Sequence, residues 1–240
     1  MGFFFFAHFR APPAGAPEIG DDELSTVTAV IASVKGLARA LLHYPAPGGT
    51  AHAFAKDEAP PPLVLQLYAD RIEVLEDALR TDGSLQPLCD PQSGAGLHAF
   101  KLQQQIMLLR HLAIGPLESA SPQAIAPCSY LVHYPGQAAD LSAWHRHYID
   151  FHPPIMRRFP RVREIEMCTR LDWIGGLPGM RVDFMQRNKL MFDSASDLSA
   201  ALASPVIGEM RADFHTFPDF AGGNVHYPML TRTLAVAGAA

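Results

Sequence analysis

Residues 162–173, "VREIEMCTRLDW", alternate strictly. Ile165, Met167, Thr169, Leu171 and Trp173 fall on one face of an extended chain, and Glu164, Glu166, Arg170 and Asp172 on the other. A period of two predicts a strand with one buried and one wet face. A different period governs the chain after Asp140. There Leu141, Trp144, Tyr148 and Phe151 recur at helical spacing, with Asp140 as a natural N-cap. "CSYLVHYPG" (128–136) is short, β-rich and closed by Pro-Gly, and predicts a strand. "GGLPG" (175–179) predicts a turn and "VDFMQRNKLMFDS" (182–194) a third strand. "SDLSAALASPVIGEMRADFHTF" (196–217) predicts one helix with Ile207, Met210, Phe214 and Phe217 on its apolar side. "NVHYPMLTRTLA" (224–235) closes the series as a strand. The order is β-α-β-β-α-β, the ferredoxin-like unit.

The first half repeats the order more loosely. "FFFFAHF", "LARALLHYP", "LVLQLYA" and "HAFKLQQQIMLLRHL" predict strands. "DDELSTVTAVIASVKG" predicts a helix with Leu24, Val27, Ile31 and Val34 inward and Gly36 as its stop. "DRIEVLEDAL" predicts a second helix, with Asp70 and Glu73 as a capping box. The proline-rich stretch 115–129 separates the halves, giving unit 1 over 1–115, a linker over 116–128 and unit 2 over 129–236. One unit leaves a face of its sheet uncovered. We therefore expect an α+β fold in which two tandem ferredoxin-like βαββαβ units pack sheet to sheet as an intramolecular dimeric α/β barrel. Two independent domains, each dimerising separately, are the alternative.

Composition narrows the partners. The 240 residues are 48% hydrophobic and 18% charged, enough to build a sizeable core. A net charge of −5 with no basic run argues against a nucleic-acid surface. No apolar stretch reaches the ~18 residues of a membrane span. Three cysteines, odd in number and far apart, predict free thiols in a reducing, cytoplasmic compartment. A small-molecule partner remains, and a homodimer is compatible with the sequence.

The candidate chemistry is histidine. "HRHYIDFHPPIMRRFP" (145–160) carries three histidines before a proline pair. On a helical wheel His145 and His152 flank the apolar face with Trp144 and Tyr148, while His147 turns toward water. Pro153 and Pro154 remove two donors and predict a kink or restart. His145 and His152 are about 10 Å apart along the axis, too far to share one zinc ion. A metal site gathering His133, His152 and His226 stays open as an alternative, as does a haem ligand.

The strand ending "LVHYPG", the helix "AWHRHYIDFHPPIMRRFP" and the strand after it resemble the EthD-like family of the dimeric α/β-barrel superfamily. His152, Pro154 and Pro160 match its His-x-Pro element and the proline that follows. "DLSAALASPVIGEMRADFHTFPDFAGGNVHYP" resembles its second helix and last strand, so the likeness covers about 129–233. The first half has no His-x-Pro element. The resemblance implies a site between sheet and helices, lined by His, Tyr and apolar side chains. The superfamily includes cofactor-free isomerases, cyclases, decarboxylases and monooxygenases, and other two-unit relatives bind haem.

If the His133 face of its strand meets the helices, His133 approaches His152, and two imidazoles in an apolar pocket suit acid–base work near neutral pH. We therefore expect an isomerase or lyase, with lactone hydrolysis a further option, acting on a small aromatic-derived or lactone-like substrate without cofactor or metal. His152 and His133 are the expected acid and base, with His145, His226 and Tyr148 positioning. Trp144, Phe151, His215 and Tyr227 are the expected substrate contacts. The rival readings are a non-catalytic aromatic-ligand-binding accessory protein and a metal- or haem-dependent oxidoreductase.

Overall fold

The computed structural model describes residues 2–13, 15, 19–46, 59–114 and 126–237. The first half supplies β1 (Gly2–Arg10), α1 (Asp21–Ser33), β2 (Arg39–Pro45), β3 (Leu63–Ala69), α2 (Ile72–Leu79) and β4 (Lys101–Leu112). The second supplies β5 (Cys128–Tyr134), α3 (Leu141–Met156), β6 (Glu164–Arg170), the two-residue β7 (Met180–Arg181), β8 (Gln186–Phe192), α4 (Ala195–Ala203), α5 (Val206–Phe214) and β9 (Val225–Leu234).

Pairing runs β4–β1–β3–β2 in one half and β9–β5–β8–β6 in the other, all antiparallel. The expected sheet-on-sheet packing takes a more complete form. β2 pairs with β9 and β4 with β6, so eight strands close into one barrel, and β7 adds alongside β4. Closure leaves none of the eight strands with a row of unpaired backbone groups. It also happens within one chain, so no second copy is needed to complete it. Most of the expected linker lies outside the described residues.

Closure corrects the reading of residues 162–173. Glu166, expected to be wet, is 0% exposed, because the second face of β6 becomes barrel lumen. Each of the eight barrel strands therefore has a lumen face and an outer face. In the first half Phe5, Ala7, Phe9, Leu65 and Leu67 face out and pack on Val27 and Ile31 of α1 and Leu75 and Leu79 of α2. Burying each such Leu or Phe contributes ~1.5–3 kcal/mol. In the second half Tyr130, Val132, Tyr134 and Leu190 pack on Trp144 and Tyr148.

Three local expectations change. The helix expected over 196–217 is two, because Pro205 has no N–H to continue α4; Ser194 caps α4 by accepting from the Asp197 N–H at 3.1 Å. The capping box at Asp70 does not form; Arg71 is the N-cap, and Glu73 turns to it across 3.5 Å. Helix α3 runs through Pro153 and Pro154 to Met156 without a restart. The carbonyls that lose a donor belong to Ile149 and Asp150, which are exposed, so water can take the donors' place.

Candidate active site

Helix α3 buries Trp144, Tyr148, His152 and Met156, a run at i, i+4, i+8 and i+12 that forms one stripe against the outer face of β5 and β8. Between this stripe, the sheet and α5 lies a cavity of about 280 Å³. That is close to the lower end of small-molecule sites, roughly 300–1,000 Å³. Tyr130, Val132 and Tyr134 of β5 form its floor with Asn188 and Leu190 of β8 and His226 of β9. Ile207, Met210 and Phe214 of α5 close the other wall, and Arg211, His215 and Asn224 also line it.

His152 is the best-placed titratable group. Its Nδ1 lies 2.6 Å from Asp213 Oδ2 on α5. A carboxylate can only accept, so Nδ1 carries the proton, and Nε2 keeps its lone pair. Nε2 has no partner among the described residues. Burial lowers the His152 pKa, and the bond to Asp213 pulls it back up in part. The ring is thus neutral near pH 7 and basic at one nitrogen. On its other side Asp213 faces His147 Nε2 at 3.8 Å, and His147 is fixed by Thr216 Oγ1 at 3.0 Å.

The phenols are poor acids here. Burial drives the Tyr148 pKa well up, and the buried Tyr134 beside it adds to the effect. Asn188 Nδ2 donates to Tyr148 Oη at 2.6 Å and fixes that hydroxyl at the cavity wall. His226 stacks on Tyr130 with ring centroids 5.4 Å apart.

The expected site residues divide. His152, Tyr148, His226 and His215 line one cavity. His133 does not. Its ring lies in the lumen, 4.8 Å from His8 and 5.3 Å from Tyr227, across the sheet from His152. Strand parity is the cause: Tyr130, Val132 and Tyr134 meet the helices, so His133 points the other way. The expected His133–His152 acid–base pair is therefore not formed. The expected metal trio of His133, His152 and His226 fails for the same reason. Tyr227 is likewise luminal, its hydroxyl accepting from Arg10 Nη2 at 2.6 Å. Phe151 is 55% exposed and lies against His147 rather than in the cavity. Trp144 is core, packed on Tyr148 and Phe217. His145 stands outside the cavity beside Trp144, its pKa lowered by burial.

Asp213, Asn188 and Tyr134 are the site residues that the sequence reading missed. Asp213 had a signal: it follows Met210 by three on a helix whose apolar stripe was visible, so it sits on the inward edge.

One trio of potential metal ligands exists among the described residues. His111, Glu164 and Glu166 bring their ligand atoms within 4.8 Å of one another. The carboxylates there are already engaged by cations. Lys189 Nζ lies 3.1 Å from Glu166 and 3.3 Å from Glu164, and Arg39 lies 2.9 Å from Glu164. We read the cluster as an ion-pair network. No helix among the described residues is long and apolar enough to cross a membrane.

No protein-family model matches the sequence, and no curated protein matches it. Solved structures do match the fold. An anthrone oxidase-like protein is similar at 13% identity and a TM-score of 0.57, over 100% of this chain and 97% of its own. A protein assigned as a monooxygenase from Lactobacillus acidophilus NCFM is similar at 8% identity and a TM-score of 0.51, over 98% and 96% of the two chains. A chlorite dismutase from Candidatus Nitrospira defluvii is similar at 11% identity and a TM-score of 0.51, over 95% and 91%. At these identities the likeness concerns the fold alone, a closed antiparallel barrel of eight strands with helices outside.

Proposed function

We propose that this chain is an enzyme that moves a proton on a small, largely aromatic substrate held in the outer cavity of its second half. The observation that carries the reading is the His152–Asp213 pair. A carboxylate holds one imidazole nitrogen at 2.6 Å and leaves the other, unpartnered, at an apolar cavity. That arrangement fixes the tautomer and orients a base whose pKa burial lowers and Asp213 partly restores. The Tyr148 hydroxyl and His226 supply polar contacts for a substrate oxygen, and Tyr130 and Phe214 suit a flat ring.

The step is proton abstraction by His152 Nε2 from an acidic C–H or O–H beside a ring or carbonyl. Return of that proton at another atom gives isomerase chemistry, and loss of a leaving group gives lyase chemistry. If Nε2 instead activates a water, the same pair serves lactone hydrolysis. None of these requires a cofactor. We also assign residues 129–236 to the EthD-like proteins, on His152, Pro154 and Pro160, and read residues 1–115 as a second, structural copy of the same ferredoxin-like unit. Three free thiols suit a reducing cytoplasm.

The test uses the whole chain in D₂O with a panel of hydroxy-aromatic acids and unsaturated lactones, followed by proton NMR. Exchange of a substrate C–H for deuterium, or net conversion, is expected for at least one member. Saturable binding across the panel with neither exchange nor conversion would make the chain a binding protein. The same observation supports one rival. A histidine whose Nδ1 donates to a carboxylate is also a well-held metal or haem ligand through Nε2. His152 would then be the ligand and Asp213 its orienting partner, and the bound centre would supply redox chemistry. A visible absorption band, or one equivalent of metal in freshly purified protein, would favour that rival.

A further inference from the structure

Two cations stand two residues apart on the lumen face of β8, and only one of them is neutralised. Lys189 is held by Glu166 and Glu164 and also donates to Tyr68 Oη at 2.7 Å. Arg187 is equally buried, at 1% exposure, yet its Nε, Nη1 and Nη2 have no hydrogen-bond partner. An unpaired guanidinium taken out of water costs several kcal/mol, so a fold that keeps one normally supplies a counter-charge.

The surroundings say where that charge belongs. Phe4 and Phe6 lie over the guanidinium at 5.1 and 5.0 Å from its carbon. Such contacts engage the charge through the two rings and leave all three guanidinium nitrogens without a hydrogen-bond acceptor. His133 is the register partner of Arg187 on β5 and so shares its face. His8 reaches in from β1, with its ring centroid 4.8 Å from that of His133. Both imidazoles are buried, and neither nitrogen of either ring has a partner. Cys168 opposes Arg187 on β6, but burial raises its thiol pKa well above the usual range, so it stays neutral. Three buried polar groups therefore converge without a hydrogen-bond partner among the described residues, and the guanidinium among them can only donate.

We propose that the barrel lumen is a second binding site, taking one small carboxylate on the edge of Arg187 between His8 and His133. A guanidinium presents parallel N–H donors in a fork that matches the two oxygens of a carboxylate. The imidazole N–H groups complete its coordination. Arg10, two residues beyond His8 on β1, adds positive charge near this end of the lumen and is tied to Tyr227 and to Gln103 at 2.9 Å. The site lies on the opposite side of the sheet from the His152 cavity and does not depend on the function proposed there.

The test titrates sodium formate into the exhaustively dialysed full chain at constant ionic strength, with sodium chloride as the matched control. The expected result is a saturable rise in melting temperature with formate that is lost in Arg187→Met. Arg187→Met itself should melt above the formate-free wild type, because it removes an unpaired buried charge. An equal rise in Arg187→Met, or an equal saturable rise with chloride, would overturn the carboxylate site. Should that variant not fold, imidazole NMR of the wild type decides. Formate must shift the His8 and His133 signals saturably, and unmoved signals overturn the site. A formate-soaked crystal with water alone on Arg187 overturns it as well.

Discussion

The two halves of the chain share a strand order and cover the outer face of their strands with helices, yet they put opposite chemistry there. Under α1 and α2 the first half places Phe5, Phe9, Leu65, Leu75 and Ile31, a filled apolar core. Under α3 and α5 the second half places Tyr130, Tyr134, Tyr148, His152, Asn188 and His226 around open volume. The frame is the same, so the frame does not make the site. A small set of polar substitutions on one helix and three strands does, and the first half supplies the rigid wall that closes the barrel.

The comparison breaks most sharply at His152. His152→Gln keeps a donor for Asp213 but removes the base. Deuterium exchange into a bound ligand should fall by about 10²–10⁴-fold, the usual worth of a general base, while ligand affinity and melting temperature change little. A variant with full exchange would erase the distinction between the halves. The matching change in the first half is Leu65→Ala. It should cost about 2–5 kcal/mol in urea unfolding, as a core cavity does, and leave exchange per folded molecule unchanged.

Asp213→Asn probes the pair itself. Exchange should drop by about 10–100-fold, as for other groups that orient a functional imidazole. Its pH profile should move too. Asp213 raises the His152 pKa against burial, so its loss lowers that pKa and carries the acid limb of kcat/KM to lower pH. An acid limb that stays in place would show that Asp213 does not act through His152.

The smallest effect per residue concerns the lumen. Burial holds His8, His43 and His133 well below their usual pKa. Their folded pKa values lie under the unfolded value of about 6.5, so the unfolded chain binds more protons below that pH. Stability is then complete above pH ~6.5 and falls as pH drops, by about 1.4 kcal/mol per unit for each histidine, until the folded value is reached. Urea unfolding between pH 7.5 and 5, in buffer free of small carboxylates, should show this slope. His8→Phe should flatten it by about one proton, and an unchanged slope would mean that His8 is charged in the fold.

Much of this was legible in the residues. The strand and helix order followed from periodicity, and the wheel of α3 put Tyr148 and His152 on the buried side. What failed was the choice of face on β5. All seven of its residues are buried, so no polar face marks the side that meets helices. His133 was assigned to the helix side on a condition that the closed barrel reverses. Glu166 misled for a related reason: its parity was read correctly, but its burial is created by strands from the other half, which no local pattern reports. Asp213 sits at the edge of the stripe set by Ile207, Met210 and Phe214, and the group that gives it a role, His152, lies 61 residues away on another helix, too far for a local pattern to report.

The most direct measurement is nitrogen NMR of His152 in the free protein at pH 7, with His152→Gln to assign its signal. The account predicts a neutral ring protonated at Nδ1, with Nε2 bare and its signal displaced by ligands that fill the outer cavity. A ring protonated at Nε2, or an imidazolium at that pH, would contradict it.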